Sequence, residues 1–134
     1  MTNIEKVINY LNKASVFYVT TIDGNKPKCR PFSFKMEHNG TIYFGAGTFK
    51  DVYRQLQSNP NIEICASHGG GFMRYYGKAS FVSDSNLEAY ALASLPMLND
   101  IYNDETGYHL GMFFIDDAVV EFRSLQGIEE TFTL

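Results

Sequence analysis

The sequence predicts an α+β fold in which six antiparallel strands form a small closed or nearly closed barrel, with helices at its rims. Three observations predict it. Asp23-Gly24 and Asn39-Gly40 each stand between runs rich in β-branched and aromatic residues, a pattern that marks hairpins and therefore antiparallel neighbours. The elements run helix, three strands, helix, two strands, helix, strand, which is not the βαβ alternation of a parallel sheet. Nine Tyr and eleven Phe suit half-buried sheet faces, and closing the sheet removes the exposed edges of such strands. At 134 residues the chain is expected to be one domain spanning 1–134.

Each element has its own warrant. Thr2 and Glu5 form a capping box for a helix from Asn3 to Asn12, and Ile4, Val7, Ile8 and Leu11 give it one apolar stripe. "SVFYVTTI" (15–22) and "KCRPFSFKM" (28–36) read as strands across the Asp23-Gly24 turn, and "TIYFGA" (41–46) is the third. Thr48 and Asp51 fit a second capping box, for a helix that buries Val52 and Leu56 and stops before Asn59-Pro60. "IEICAS" (62–67) and "FMRYYGKASFV" (72–82) follow as strands, joined across Gly69-Gly70-Gly71, a hairpin loop by its composition. Ser85 and Glu88 suggest a third capping box, with Leu87, Ala91 and Leu95 inward and Pro96 as the stop. "MFFIDDAVVEFRSL" (112–125) is a long last strand, and "EETFTL" can add a short extended piece.

Composition narrows the function. A formal charge of −4 with scattered Lys and Arg argues against a nucleic-acid binder. No apolar run approaches the roughly 20 residues of a membrane span, and the amphipathic first dozen residues do not read as a signal peptide. Cys29 and Cys65 fit no metal or redox spacing and read as reduced thiols of a cytoplasmic protein. His38, His68 and His109 lack a metal-type partner, so no metal site is expected. Dinucleotide, Walker A and nucleophile-elbow motifs are all missing.

Two segments carry chemistry. Lys50 is expected in the first turn of a helix, where the macrodipole disfavours a cation unless an anion is bound. On that segment alone it reads equally as a solvated side chain. Arg30-Pro31 adds weight to the anion, because proline cannot donate to a sheet ladder and marks a place where something else lies alongside. A planar heterocycle with amide-like edges suits that role, with Arg30 and Lys35 supplying charge and Phe32 or Phe44 apolar cover. An edge strand protected by proline and charge is the plain alternative.

"FYVTTIDGNKPKCRPFSFKM", "GTIYFGAGTFKDVYRQLQSNPNIEICA" and "YYGKASF" follow one another in an order and spacing that resemble the FMN-binding split-barrel family, which includes pyridoxamine 5'-phosphate oxidase. "MFFIDDAVVEF" resembles that family's last barrel strand. The resemblance implies a six-stranded antiparallel split β-barrel with peripheral helices, a homodimer, and FMN at the dimer interface. It implies that Arg30, Pro31, Phe32, Ser33 and Lys35 line the flavin ring, and that Phe44 and Gly45 lie by the ribityl chain. Thr48 and Lys50 would hold the phosphate, and Gln55 would sit in the following helix. Phe72 stands where the oxidase itself has glutamine, and "GIEETFTL" lacks its arginine-rich substrate motif, so shorter general-stress and nitroimidazole-resistance types are the closer match. Related barrels bind heme or the deazaflavin F420; heme would want His68 or Cys65 at the cleft. The expectation is an FMN-dependent oxidoreductase acting on a small flat acceptor, with a non-catalytic carrier, sensor or stress protein as the alternative. No acid or base stands out; Tyr75, Tyr76, His68 and Arg74 are candidates for the cleft.

Overall fold

A computed structural model gives the structure of residues 1–134. The first helix, α1 (Asn3–Ala14), starts at the Thr2/Glu5 capping box, with both reciprocal hydrogen bonds formed, and buries Val7 and Leu11 fully. Strands β1 (Phe17–Asp23) and β2 (Lys26–Phe32) form a hairpin across Gly24 and Asn25. The short β3 (Met36–His38) and β4 (Thr41–Gly47) form the next, with Asn39 and Gly40 both at positive φ, as a two-residue turn of this hand requires. Helix α2 (Asp51–Ser58) leads to β5 (Asn61–His68) and β6 (Gly71–Val82), which pair across Gly69-Gly70. Helix α3 (Ser85–Ser94) and a 3₁₀ turn (Pro96–Asp100) precede the long β7 (Leu110–Ser124) and β8 (Gly127–Thr133).

All pairings are antiparallel, in the order β2-β1-β5-β6-β7-β4-β3, with β8 added on β7. The expected single strand over 28–36 is two. β2 pairs with β1 at one end of the sheet, and β3 pairs with β4 at the other. The physical reason is that this one stretch serves both ends: Phe32 packs on the main core cluster, while Phe34 and Met36 belong to a second one. Residues 33–35 therefore cross between the sheet ends, joining them by chain rather than by a hydrogen-bond ladder. With β2 and β3 counted as one broken strand, six strands form the barrel and the split lies at 33–35.

β7 changes partners along its length, pairing with β4 over its first half and β8 over its second. The change falls at Asp116-Asp117, where Asp117 has φ 50° and the register with β6 shifts. Gly77 makes this bulge possible, because a Cβ there would lie 2.4 Å from the Asp116 carbonyl oxygen. Phe17, Phe44, Phe113 and Tyr75 fill the barrel, with the Phe17–Phe44 and Phe44–Phe113 centroids 5.7 Å apart. No helix is long and apolar enough to cross a membrane.

Both later capping boxes differ from expectation. α2 starts three residues after Thr48, with Lys50 as its cap and no side-chain capping bond. The Thr48 N–H instead donates to the His109 carbonyl at 3.0 Å, extending the β4–β7 ladder by one residue. α3 is capped by Asp84, not Ser85, with the Asp84 carboxylate accepting from the N–H groups of Asn86 and Leu87. Glu88 turns away to accept from the Leu110 N–H at 3.3 Å.

Candidate functional site

Strand alternation places Lys28, Arg30 and Phe32 on one face of β2, opposite Thr21, Val19 and Phe17. Phe32 reaches the core, whereas Lys28 and Arg30 lie toward the end where α2 crosses β1. The inward stripe of α2 is Val52, Gln55 and Leu56, so a polar side chain occupies an otherwise apolar face. Its partners explain it. The fully buried Thr21 hydroxyl donates to Gln55 Oε1 at 2.6 Å, and Arg30 Nη2 donates to the same oxygen at 2.8 Å. Arg30 Nη1 donates to Thr21 Oγ1 at 2.8 Å and to the Val19 carbonyl at 3.1 Å. The guanidinium is thus clamped by three neutral acceptors.

No carboxylate forms an ion pair with it, although Asp51 acts on it through space. The two nearby carboxylates, Asp23 and Asp51, face Arg54, at 3.5 and 3.6 Å. Asp23 in turn raises the Arg54 pKa, chiefly through a hydrogen bond. Burial pushes the Arg30 guanidinium below its ordinary value, the cost of holding a charge away from water. Lys28 and Lys50 line the same groove of about 660 Å³ and form no ion pair.

A second hollow of about 240 Å³ adjoins the groove and shares Arg30, Lys50 and Val52 with it. Its walls are residues 31–34, Gly45 to Gly47, and Leu98, Ile101 and Tyr102 from the chain after α3. Ser33 and Phe34 lie outside both ladders, so their peptide groups are free of strand partners. Gly47 is required here, because a Cβ would meet the Tyr102 hydroxyl and the Phe49 ring, each at 2.8 Å. Phe49 stacks on Tyr108 with centroids 4.0 Å apart, fixing the turn that carries Lys50.

Of the residues expected at the site, the structure brings together Arg30, Pro31, Phe32, Ser33, Gly45, Lys50 and Gln55. Lys35, at the end of the break, lines neither hollow, and burial lowers its pKa. The Phe44 side chain is fully buried between Phe17, Tyr75 and Phe113, so it offers no cover to a ligand; its neighbour Gly45 faces the hollow instead. Thr48 opens on the far side of its turn, into a separate hollow with Glu88 and His109. The cleft candidates also lie elsewhere. Tyr75 is core, Arg74 pairs with Glu63 on the outer sheet face, Tyr76 bonds Glu121, and His68 sits exposed at a hairpin end. Sequence reasoning missed Thr21 and Tyr102. Thr21 had a signal, a polar residue at an inward strand position in line with Phe17 and Val19; Tyr102 had none, lying in a stretch without periodicity.

A split antiparallel barrel of this topology defines a class of small β-barrel domain. Within that class the chain belongs to the pyridoxamine 5'-phosphate oxidase family, whose model matches residues 4–109. A NimC/NimA family protein from Clostridium acetobutylicum is 24% identical, with a TM-score of 0.89 over 100% of this chain and 95% of that one. General stress protein 26 from Bacillus anthracis is 15% identical with a TM-score of 0.67 and full coverage of both chains (100% each). A pyridoxamine 5'-phosphate oxidase-related, FMN binding protein from Nostoc punctiforme is 17% identical with a TM-score of 0.64, covering 98% of this chain and 89% of that one. These likenesses show the fold. No curated protein matches the chain in sequence.

Proposed function

We propose that the groove binds a flavin mononucleotide and that the protein is a flavin-dependent oxidoreductase acting on a small flat acceptor. The observation that carries this is Arg30: a partly buried guanidinium, clamped by neutral groups, with no carboxylate partner. Such a charge calls for an anion. The residues present fit a nucleotide with one phosphate. Lys50 lies across the same hollow, and α2 opens beside it with no side-chain cap on its first N–H groups. The free peptide groups of Ser33 and Phe34 suit the amide-like edge of a planar ring. Neither His68 nor Cys65, the axial candidates for heme, lines the groove. The FMN binding relative from Nostoc punctiforme supports the same reading.

The chain's own residues bind and position. Arg30 is held by Thr21 and Gln55, so it meets the ligand without losing side-chain freedom at that moment. Pro31 and Phe32 supply an apolar wall, and Leu98 and Ile101 shield the opposite side from water. The bound flavin would supply the redox chemistry, taking electrons from a reduced donor and passing them to the acceptor. The hollow of about 240 Å³ continues the groove toward the chain after α3. Its surroundings expose Phe49, Met97, Ile101 and Tyr108, which supports completion of the site by a second copy in a homodimer.

Titration of the purified protein with FMN, followed by anaerobic addition of a nicotinamide cofactor, tests this reading. Binding followed by bleaching of the flavin band is expected. Binding without reduction by any donor would leave a carrier or sensor, and no binding would remove the flavin reading. Lys50→Ala is expected to weaken FMN more than riboflavin, and equal losses would show that Lys50 does not meet the phosphate.

A further inference from the structure

We propose that the Tyr102 hydroxyl is a third donor to the phosphate end of the nucleotide, beside Arg30 and Lys50; the inference rests on the flavin reading above. Tyr102 is 6% exposed, its ring packed with Met36, Leu110 and Met112. Buried phenols normally find a hydrogen-bond partner, and this one has none within the chain. The oxygen is not sealed off, since no buried side-chain oxygen or nitrogen lacks a partner; it opens into the hollow that Arg30 and Lys50 line.

Its position along the hollow follows from Gly47. The hydroxyl sits 2.8 Å from where a Cβ on Gly47 would be, and the Gly47 carbonyl accepts the Lys50 N–H at 3.0 Å. Tyr102, Gly47 and Lys50 therefore meet where β4 gives way to the uncapped start of α2. Thr48, the hydroxyl the resemblance assigns to the phosphate, opens instead beside Glu88, whose carboxylate would repel an anion. The structure thus moves the hydroxyl donor from the β4–α2 turn to the segment after α3. That segment then closes the hollow and reads its contents at once.

Tyr102→Phe keeps the ring and removes only the oxygen. Equilibrium titration with FMN and with riboflavin, and thermal unfolding of the ligand-free protein, test it. The expected result is a roughly tenfold rise in the FMN Kd, the size expected for one hydrogen bond to a charged group. The riboflavin Kd and the ligand-free Tm should stay essentially where they were. Thr48→Ala is expected to leave FMN affinity unchanged. The proposal is overturned if Tyr102→Phe leaves FMN affinity intact, weakens both ligands equally, or lowers the ligand-free Tm, which would make the hydroxyl structural. Wild-type protein that binds FMN while Tyr102→Phe has no effect overturns this assignment alone; wild-type protein that binds no FMN overturns the flavin reading with it.

Discussion

Replacing Gln55 with leucine isolates what the buried polar trio contributes. Leucine is close to glutamine in volume and continues the Val52/Leu56 stripe, so the packing change is small. What disappears is one acceptor shared by two donors. Arg30 keeps its bonds to Val19 and Thr21, and its freed N–H can turn to water in the groove. Thr21 has no such recourse, because it is fully buried and its 2.6 Å bond to Gln55 has no substitute. An unsatisfied buried donor costs about 1–3 kcal/mol, which places the loss near 2 kcal/mol. For a chain of this size that corresponds to a fall of about 6–8 °C in Tm.

The second arm is Thr21→Val with Gln55→Leu. Replacing both members by apolar groups of the same shape removes the orphaned hydroxyl, so the pair should recover most of the loss, with a coupling of about 1–2 kcal/mol. Urea unfolding of the ligand-free proteins reads the stabilities, and FMN titration reads the site. The double variant should be stable yet bind FMN weakly, because Arg30 is then held by the Val19 carbonyl alone. Near-wild-type stability of Gln55→Leu, or strictly additive single effects, would refute the account of the trio.

Two further outcomes follow from the sheet. Gly77→Ala sets a Cβ 2.4 Å from a backbone carbonyl that cannot move aside, so a loss of about 3 kcal/mol is expected in urea unfolding; a loss below about 1 kcal/mol would mean that the bulge adapts. Glu121 is held below the usual carboxylate range, first by the hydrogen bond from the Tyr76 hydroxyl and then by that from Arg123. A depressed folded pKa contributes stability that is complete above the ordinary carboxylate range and is lost as pH falls through the folded value. Thermal unfolding from pH 6 down to about 2 should therefore show an acid-side loss that is smaller in Glu121→Gln, and parallel profiles would show that this carboxylate carries none of it.

Most elements could be read before any coordinates because their signals are local. The Thr2/Glu5 box, the turn at Asn39-Gly40, the glycine hairpin at 69–71 (closed in the structure by Gly69-Gly70, with Gly71 already in β6) and the stop at Asn59 depend on neighbours in sequence. The misreadings came where a distant partner outweighed a local motif. Thr48-x-x-Asp51 satisfies the capping spacing, but a cap contributes only about 1 kcal/mol. Against it stood one more ladder bond to His109 and the Phe49–Tyr108 stack, neither visible in the segment. The continuous strand over 28–36 failed for a related reason. Its pattern does not reveal that its two halves pair with opposite ends of one sheet. Arg30 and Lys50 stood out as candidates through their residue types; Thr21 and Tyr102 come beside them only because of where the fold puts them.

The charge of the site shows the same limit at the level of composition. A net charge of −4 gave no reason to expect an anion site, but net charge bears on long-range attraction. Short-range recognition depends instead on which charges remain unpaired at one place. In the groove the acidic members, Asp23 and Asp51, are both engaged by Arg54, a residue outside the pocket wall. Arg30, Lys28 and Lys50 are left without an ion-pair partner, Asp51 acting on Arg30 only through space. Arg54 is largely exposed, so its pairing is worth little to stability. Its contribution lies in partly offsetting two carboxylates in the field that a phosphate would meet. An acidic chain thereby presents a basic groove.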